Sequence, residues 1–390
     1  MAPDPTLDGT VKGWPDLGCR ASEVAQRELR LDDLGTPALA LRDSAVGRNI
    51  AAMAEWCAAR GVALAPHAKT TMLPRVIERQ LAAGAWGVTV ANARQARVAL
   101  ACGAQRVVIA NEVTVAADLA WVCSQNAGGD AEVIFCVDSL EVLALAEVEH
   151  RRAGGPPLPV LVEVGYEDGR CGLRSTDAVL EVAQAVARSP HAALRGIEGF
   201  EGLADAPEPF LDDLVAAAAA TAPLVEEADP ILTAGGSSYF DRVVDLLGPA
   251  AAQLGWTLCL RSGCYVTHDH GIYAEAAERR AQGGPRFDAA IEVRASVLSR
   301  PQPDRMILDC GRRDVSFDAG LPVVLGHDEL VVVALNDQHA HVRVDDPCDA
   351  AVGDVVGLGI SHPCTTLDRW QVIALVDDDG RVLEGLTTCF

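Results

Sequence analysis

From about residue 60 the chain alternates between two textures. Short β-rich apolar runs are followed by longer Ala/Leu/Arg/Glu segments whose apolar positions recur at helical spacing. The pattern predicts strands over 62–65, 87–91, 107–110, 133–137, 160–164, 196–200, 231–233 and 257–260. Between them it predicts helices that include 71–83, 93–102, 140–151, 177–189 and 210–228. Eight strands joined by helical crossovers make a parallel (β/α)8 TIM barrel, which needs about 200 residues or more. An open doubly wound sheet would carry a Gly-rich turn after its first strand, and no GxGxxG occurs there. After about residue 270 the runs become β-rich, over 290–297, 306–309, 330–335, 340–344, 355–358 and 370–376, with Gly, Pro and Asp between them. This predicts an α/β barrel over 36–270 and an all-β domain over 271–390, with a hinge at 283–285. The first 35 residues are expected to pack on the β-rich domain, and the apolar run 39–41 could belong to either unit.

Composition narrows the function. The 390 residues include 55 acidic and 32 basic side chains, a net charge of −23. Such a surface repels phosphate backbones and anionic lipid, which argues against nucleic-acid and membrane-surface roles. No run approaches the roughly 18 apolar residues of a spanning helix. The N-terminus lacks the basic-then-apolar order of a secretion signal. Twelve cysteines are scattered from Cys19 to Cys389 without a CxxC pair, and read mostly as reduced, buried small hydrophobes. A cytoplasmic enzyme is expected.

Catalytic groups in such barrels sit where strands end and loops begin. The first strand runs into Pro66-His67-Ala68-Lys69-Thr70. Only Lys12 and Lys69 are lysines, against 30 arginines. A lysine retained at a strand end suggests that its amine is needed, because a guanidinium stays protonated and forms no Schiff base; the alternative is a surface ion pair. Gly235-Gly236-Ser237-Ser238 follows the seventh strand, where backbone N–H groups and hydroxyls make a phosphate cradle, and Gly263-Cys264-Tyr265 after the eighth could complete it. A lysine and a phosphate site together suggest pyridoxal phosphate, with Arg170 in a Gly-flanked loop near its ring. In the β-rich region, His362-Pro363-Cys364 offers an imidazole and a thiolate, a soft pair that favours zinc. His268, His270, His339 and His341 are rival ligands, and would suit a metal-dependent barrel hydrolase without pyridoxal phosphate.

In order along the chain stand Thr36-Pro37, Pro66-His67-Ala68-Lys69-Thr70, Gly235-Gly236-Ser237, Arg261-Ser262-Gly263-Cys264-Tyr265 and Ser361-His362-Pro363-Cys364-Thr365-Thr366. Together they resemble the D-serine dehydratase and D-threonine aldolase family, with its alanine-racemase-type barrel. The resemblance spans residues 36 to 390. It implies that Lys69 holds the cofactor covalently with His67 beside it, and that Arg170 lies near the ring. Gly235, Gly236, Ser237, Gly263 and Tyr265 would surround the phosphate. It also implies a divalent metal on His362 and Cys364: zinc with His-x-Cys in the dehydratase type, and a harder ion such as manganese or magnesium with His-x-Asp in the aldolase type. Cys364 therefore points to dehydration of a D-serine- or D-threonine-like substrate to a 2-oxo acid and ammonia, with aldol cleavage to glycine and an aldehyde as the alternative. A racemase or a non-catalytic cofactor-binding protein of the same barrel type would have no use for the metal pair. A homodimer is the implied assembly. Thr71-Met72 stands where a His-Lys pair is common, and Gly165-Tyr166-Glu167-Asp168 replaces an Asp-Thr-Gly stretch.

Overall fold

The computed structural model describes residues 3–280 and 284–390. Eight parallel strands, Ala63–Leu64, Val88–Val90, Arg106–Glu112, Glu132–Val137, Leu158–Val164, Ala192–Gly199, Ile231–Ala234 and Thr257–Leu260, pair in sequence, and the eighth pairs with the first. The first and second meet through Thr89, whose N–H donates to Pro66 O at 3.0 Å and whose hydroxyl donates to Ala65 O at 2.7 Å. Seven strands lie within two residues of their expected positions and the sixth begins four residues early, at Ala192, because buried parallel strands read as short continuous apolar runs. Residues 158–164 are buried throughout.

Helix ends shift for identifiable reasons. The helix expected over 71–83 is Pro74–Ala82: Pro74 takes the first helical position, and Met72 just before it adopts a left-handed φ of 44°. The helix expected over 210–228 is Glu208–Thr221, followed by a 3-10 turn containing Pro223.

A second sheet of nine strands forms the other unit. Its axis is the long strand Ile291–Gln302, which pairs antiparallel with Arg305–Leu308, Val355–Gly359 and Ala38–Arg42. The strand Ala38–Arg42, which a boundary at residue 36 would give to the barrel, pairs in this sheet instead and also runs parallel to Val372–Val376. Its first four residues are buried, so its apolar run carries no mark of which sheet will take it. Strands Val323–Val324 and Val382–Thr387 join the sheet without having been anticipated, and a helix, Ile272–Arg279, opens the region expected to be all β. The ribbon Thr6–Asp8 and Asp16–Arg20 precedes it, and Leu7, Trp14 and Val24 pack with Ala40, Val372 and Val376. Of the expected hinge, residue 283 lies outside the described residues.

The helix Asp43–Ala58 ties the two units together. Its buried Asn49 donates from Nδ2 to Val266 O at 3.1 Å and to Asp288 O at 2.8 Å, and Oδ1 accepts from Asp288 N at 2.8 Å. Removing the amide strands buried polar groups on both sides. Asn49→Ala is expected to cost about 2–3 kcal/mol, read as a lower urea midpoint in equilibrium unfolding.

Candidate active site

The first barrel strand delivers its loop to the C-terminal mouth. Ala68–Thr70 form a 3-10 turn, and the N–H of Cys389 near the chain's end donates to Met72 O at 2.9 Å, bracing the loop from behind. Lys69 is held below the usual amine range chiefly by burial, with Arg170 and Arg261 adding to the effect; Cys364 and Cys264 oppose it. His67 beside it is held neutral by burial and by the cations Lys69, Arg261 and Arg170, and its Nδ1 is buried without a partner. Lys12, the other lysine, has a structural role: it donates to Asp314 Oδ1 at 3.0 Å and lies 3.9 Å above the Trp370 ring.

The loop after the eighth strand packs directly against this turn. A Cβ on Gly263 would collide with the His67 carbonyl and the Thr70 hydroxyl, so only glycine fits there. The amides of Gly263 and Cys264 donate to Ser237 Oγ at 3.3 and 3.0 Å. Two N–H groups and a hydroxyl thus converge at the mouth, a cradle suited to phosphate. The remaining expected partners are placed differently. The amides of Gly235 and Gly236 already donate to the buried Glu201 carboxylate, at 3.1 and 2.6 Å. Gly235 is nonetheless required, with φ +95° and its Cβ direction blocked by the Leu260 side chain. Tyr265 points away from the mouth: it is 3% exposed and its hydroxyl accepts from Gln80 Nε2 at 2.9 Å. The 3-10 turn Cys264–Val266 sends consecutive side chains in different directions, Cys264 to the mouth and Tyr265 to the helix layer.

Arg170 lies on the tight loop after the fifth strand, its guanidinium 4.3 Å from the Phe200 ring centroid. That loop closes on itself: Gly172 has φ +93°, and a Cβ there would strike the backbone of Gly165. The cofactor suits this mouth, which offers a strand-end amine, an amide–hydroxyl cradle, an unpartnered imidazole nitrogen and a nearby guanidinium.

The sequence reading missed what lies beneath. Arg261, quoted only as part of a motif, is buried and ion-paired to Glu198 at 2.6 Å, with further bonds to Thr233 Oγ1 and Gly199 O, both at 2.9 Å. Glu163 lies next to Glu198 and Cys136 in the barrel, and burial with the neighbouring Glu198 and Glu112 charges pushes its carboxyl up to about 10. It is therefore neutral at physiological pH. The available signal was a lone acid in each of two buried strands, at positions 163 and 198.

The β-rich unit closes the mouth from the other side. His362 precedes the short helix Pro363–Leu367, and its Nδ1 lies 2.7 Å from Asp318 Oδ2, while Thr365 Oγ1 donates to Asp318 Oδ1 at 2.9 Å. Burial works against ionisation of Asp318, yet these hydrogen bonds hold its carboxyl below the usual range. A carboxylate on one imidazole nitrogen leaves the other as the donor, the outer support found around metal-bound histidines. Cys364 Sγ lies 3.4 Å from Cys264 Sγ, and Thr70 Oγ1 is 3.6 Å from each sulfur. An imidazole with a free nitrogen and a half-buried thiol form a donor set that fits a divalent metal with nitrogen and sulfur affinity. The ring nitrogens of His362 and the two sulfurs do not form a group within 4.8 Å of one another; among the described residues, the trios that do are Glu112–Asp138–Cys171 and Cys136–Glu163–Glu198.

Comparison with known proteins places this architecture in a class. Residues 42–243 match the alanine racemase N-terminal domain and residues 290–376 match a serine dehydratase domain. The fold is thus an alanine-racemase-type barrel with an appended β domain. The chain is 31% identical to the D-threonine aldolase of Arthrobacter sp over 355 residues, covering 88% of this chain and 89% of that one. It is 29% identical to the D-threo-3-hydroxyaspartate dehydratase of Delftia sp. (strain HT23), over 90% of this chain and 96% of that protein. The crystal structure of D-threonine aldolase from Filomicrobium marinum superposes with a TM-score of 0.79 at 26% identity, covering 93% of this chain and 97% of that chain. The chain belongs to the D-serine dehydratase and D-threonine aldolase family.

The histidines of the rival hydrolase reading are apart from the mouth chemistry. His341 Nε2 lies 2.6 Å from Asn336 Oδ1, and the N–H of Asn336 donates to the His339 carbonyl. No group of three mutually close donors among the described residues includes His268, His270, His339 or His341. His268 and His270 flank Asp269, whose Oδ1 accepts from the amides of Gly271, Tyr273 and Ala274, each at 3.1 Å, and so caps the helix Ile272–Arg279. Burial pushes the Asp269 carboxyl up to about 6, against the pull of those amides. The folded chain therefore binds this proton more tightly than the unfolded chain. Ionised Asp269 costs stability as pH rises through about 6, and the cost disappears as pH falls towards 4. Asp269→Asn, which keeps an oxygen acceptor for the three amides, is expected to be more favourable relative to the wild type at about pH 7 than at about pH 5. Urea unfolding at the two pH values measures this difference.

Proposed function

We propose that this protein is a pyridoxal-phosphate- and metal-dependent lyase acting on D-configured β-hydroxy amino acids, and that it dehydrates a D-serine- or D-threonine-like substrate to a 2-oxo acid and ammonia. The observation that carries the reading is the meeting of Lys69 with Cys364 at one mouth: an amine kept below its usual basicity by burial faces a soft metal donor from the other unit. When bound, the cofactor supplies an electron sink for charge developing at Cα, and the metal supplies a Lewis acid for the β-hydroxyl.

The protein's own groups do the rest. Lys69 Nζ, part-buried and crowded by Arg170 and Arg261, has the lowered basicity that suits taking and returning the Cα proton. Ser237, Gly263 and Cys264 orient the phosphate end. Arg170 borders the ring. His67, held neutral, keeps a positive charge away from Lys69. His362, fixed by Asp318, and Cys364 hold the metal, and this nitrogen–sulfur set favours zinc over manganese or magnesium. Loss of the Cα proton to Lys69 and of the β-hydroxyl as water gives the enamine, which hydrolyses to the 2-oxo acid and ammonia.

Aldol cleavage to glycine and an aldehyde is the second reading, favoured by the 31% identity to a D-threonine aldolase. The proposal also takes the enzyme to be cytoplasmic and homodimeric; exposed Phe317 and Leu321 near Asp318, at 44% and 38%, support a partner at this rim.

Incubation of the purified enzyme with pyridoxal phosphate, zinc and D-threonine separates the two readings: 2-oxobutanoate with ammonia supports dehydration, and glycine with acetaldehyde overturns it in favour of cleavage. Lys69→Ala is expected to lose about a thousandfold or more of the rate together with the visible absorption of the protein-bound cofactor; a retained band removes Lys69 from its role. Asp318→Asn is expected to weaken metal binding about 10–100-fold with the cofactor still bound, measured by chelator competition.

A further inference from the structure

We infer that Cys264 is a second sulfur ligand of the metal held by His362 and Cys364, so that the ion sits between two thiolates supplied by different units of the fold. The inference rests on the proposed metal reading and deepens it. His362 and Cys364 offer two donors, whereas catalytic zinc sites usually carry three protein ligands and keep the fourth position for water or substrate. The structure brings one further soft donor against this pair.

Cys264 Sγ lies 3.4 Å from Cys364 Sγ. Two thiolates at about 2.3 Å from a tetrahedral zinc stand about 3.8 Å apart, so the pair needs to open by only a few tenths of an ångström to take the ion. Cys264 is 4% exposed and cannot turn its sulfur to solvent. Its backbone and side chain face different tasks: the N–H donates to Ser237 Oγ in the cradle, while the sulfur points across to the β-rich unit. The hydroxyl of Thr70, next to Lys69, lies 3.6 Å from both sulfurs and can donate to either thiolate. The buried Cys136–Glu163–Glu198 trio offers no rival for the ion, because Arg261 already neutralises Glu198. His362, whose ring nitrogens do not lie within 4.8 Å of both sulfurs here, closes on the pair when the ion binds, and the ligands are then two thiolates and one imidazole. This set leaves a single open position for the substrate β-hydroxyl and discriminates strongly against manganese and magnesium.

The test is zinc-edge X-ray absorption of the zinc-loaded, pyridoxal-phosphate-loaded enzyme, which counts sulfur scatterers near 2.3 Å separately from nitrogen and oxygen nearer 2.0–2.1 Å. Two sulfurs per zinc are expected in the wild type and one in Cys264→Ser, whose chelator-competed zinc affinity should fall at least tenfold. One sulfur in the wild type, or a count unchanged by Cys264→Ser, overturns the inference and leaves the His362–Cys364 reading intact. A wild-type zinc without sulfur overturns both. The wild-type count stands alone if Cys264→Ser does not fold.

Discussion

The buried ion pair between Arg261 and Glu198 governs the electrostatics of the mouth. Both groups are almost wholly out of water, and the 2.6 Å contact between the end of the eighth strand and the sixth compensates a desolvation cost that either charge alone could not bear. The pair adds its charges to the effect of burial on the neighbouring titratable groups. Glu163 is kept protonated first by burial and then by the neighbouring Glu198 charge; His67 and Lys69 are pushed towards their neutral forms chiefly by burial, and the Arg261 charge adds to both shifts. Removing Glu198 would leave a buried guanidinium unpaired, and its field would fall on the amine that the proposed chemistry uses.

Backbone contacts then set distances that side chains alone could not. Gly263 lets the last barrel loop lie on the His67–Thr70 turn with no side chain between them, so the cradle and the lysine move as one body. The third wall comes from the β-rich unit, where Ser316 and Thr366 hydroxyls, 3.0 Å apart, hold the segment bearing His362 and Cys364. Asn49 and the strand Ala38–Arg42 lock that unit to the barrel. A site shared between two units in this way depends on their relative placement, so distant substitutions at the junction are also substitutions of the site.

Much of the barrel was legible in the residues, for a simple physical reason. A parallel strand covered by helices on one side and lumen side chains on the other is an apolar run, and the crossover helix is amphipathic, so periodicity reports both. Lys69 was visible because the chain uses arginine almost everywhere else, and His362-x-Cys364 because the spacing is short. Ala38–Arg42 was ambiguous because a buried run looks the same in either sheet, and Tyr265 was misplaced because a motif records adjacency and not direction.

What the sequence determined by itself was therefore local: the order of strands and helices, the strand-end lysine, the glycines of the cradle and the soft donor pair. Only the tertiary structure decided which groups meet. The Cys264 and Cys364 sulfurs are 100 positions apart along the chain and in contact across two units, Glu201 occupies amides that the glycine motif left open, and Glu163 is kept protonated by burial and by its neighbours Glu198 and Glu112. Contact, burial and charge coupling are properties of distance in space, and the linear pattern encodes them only through the fold it produces.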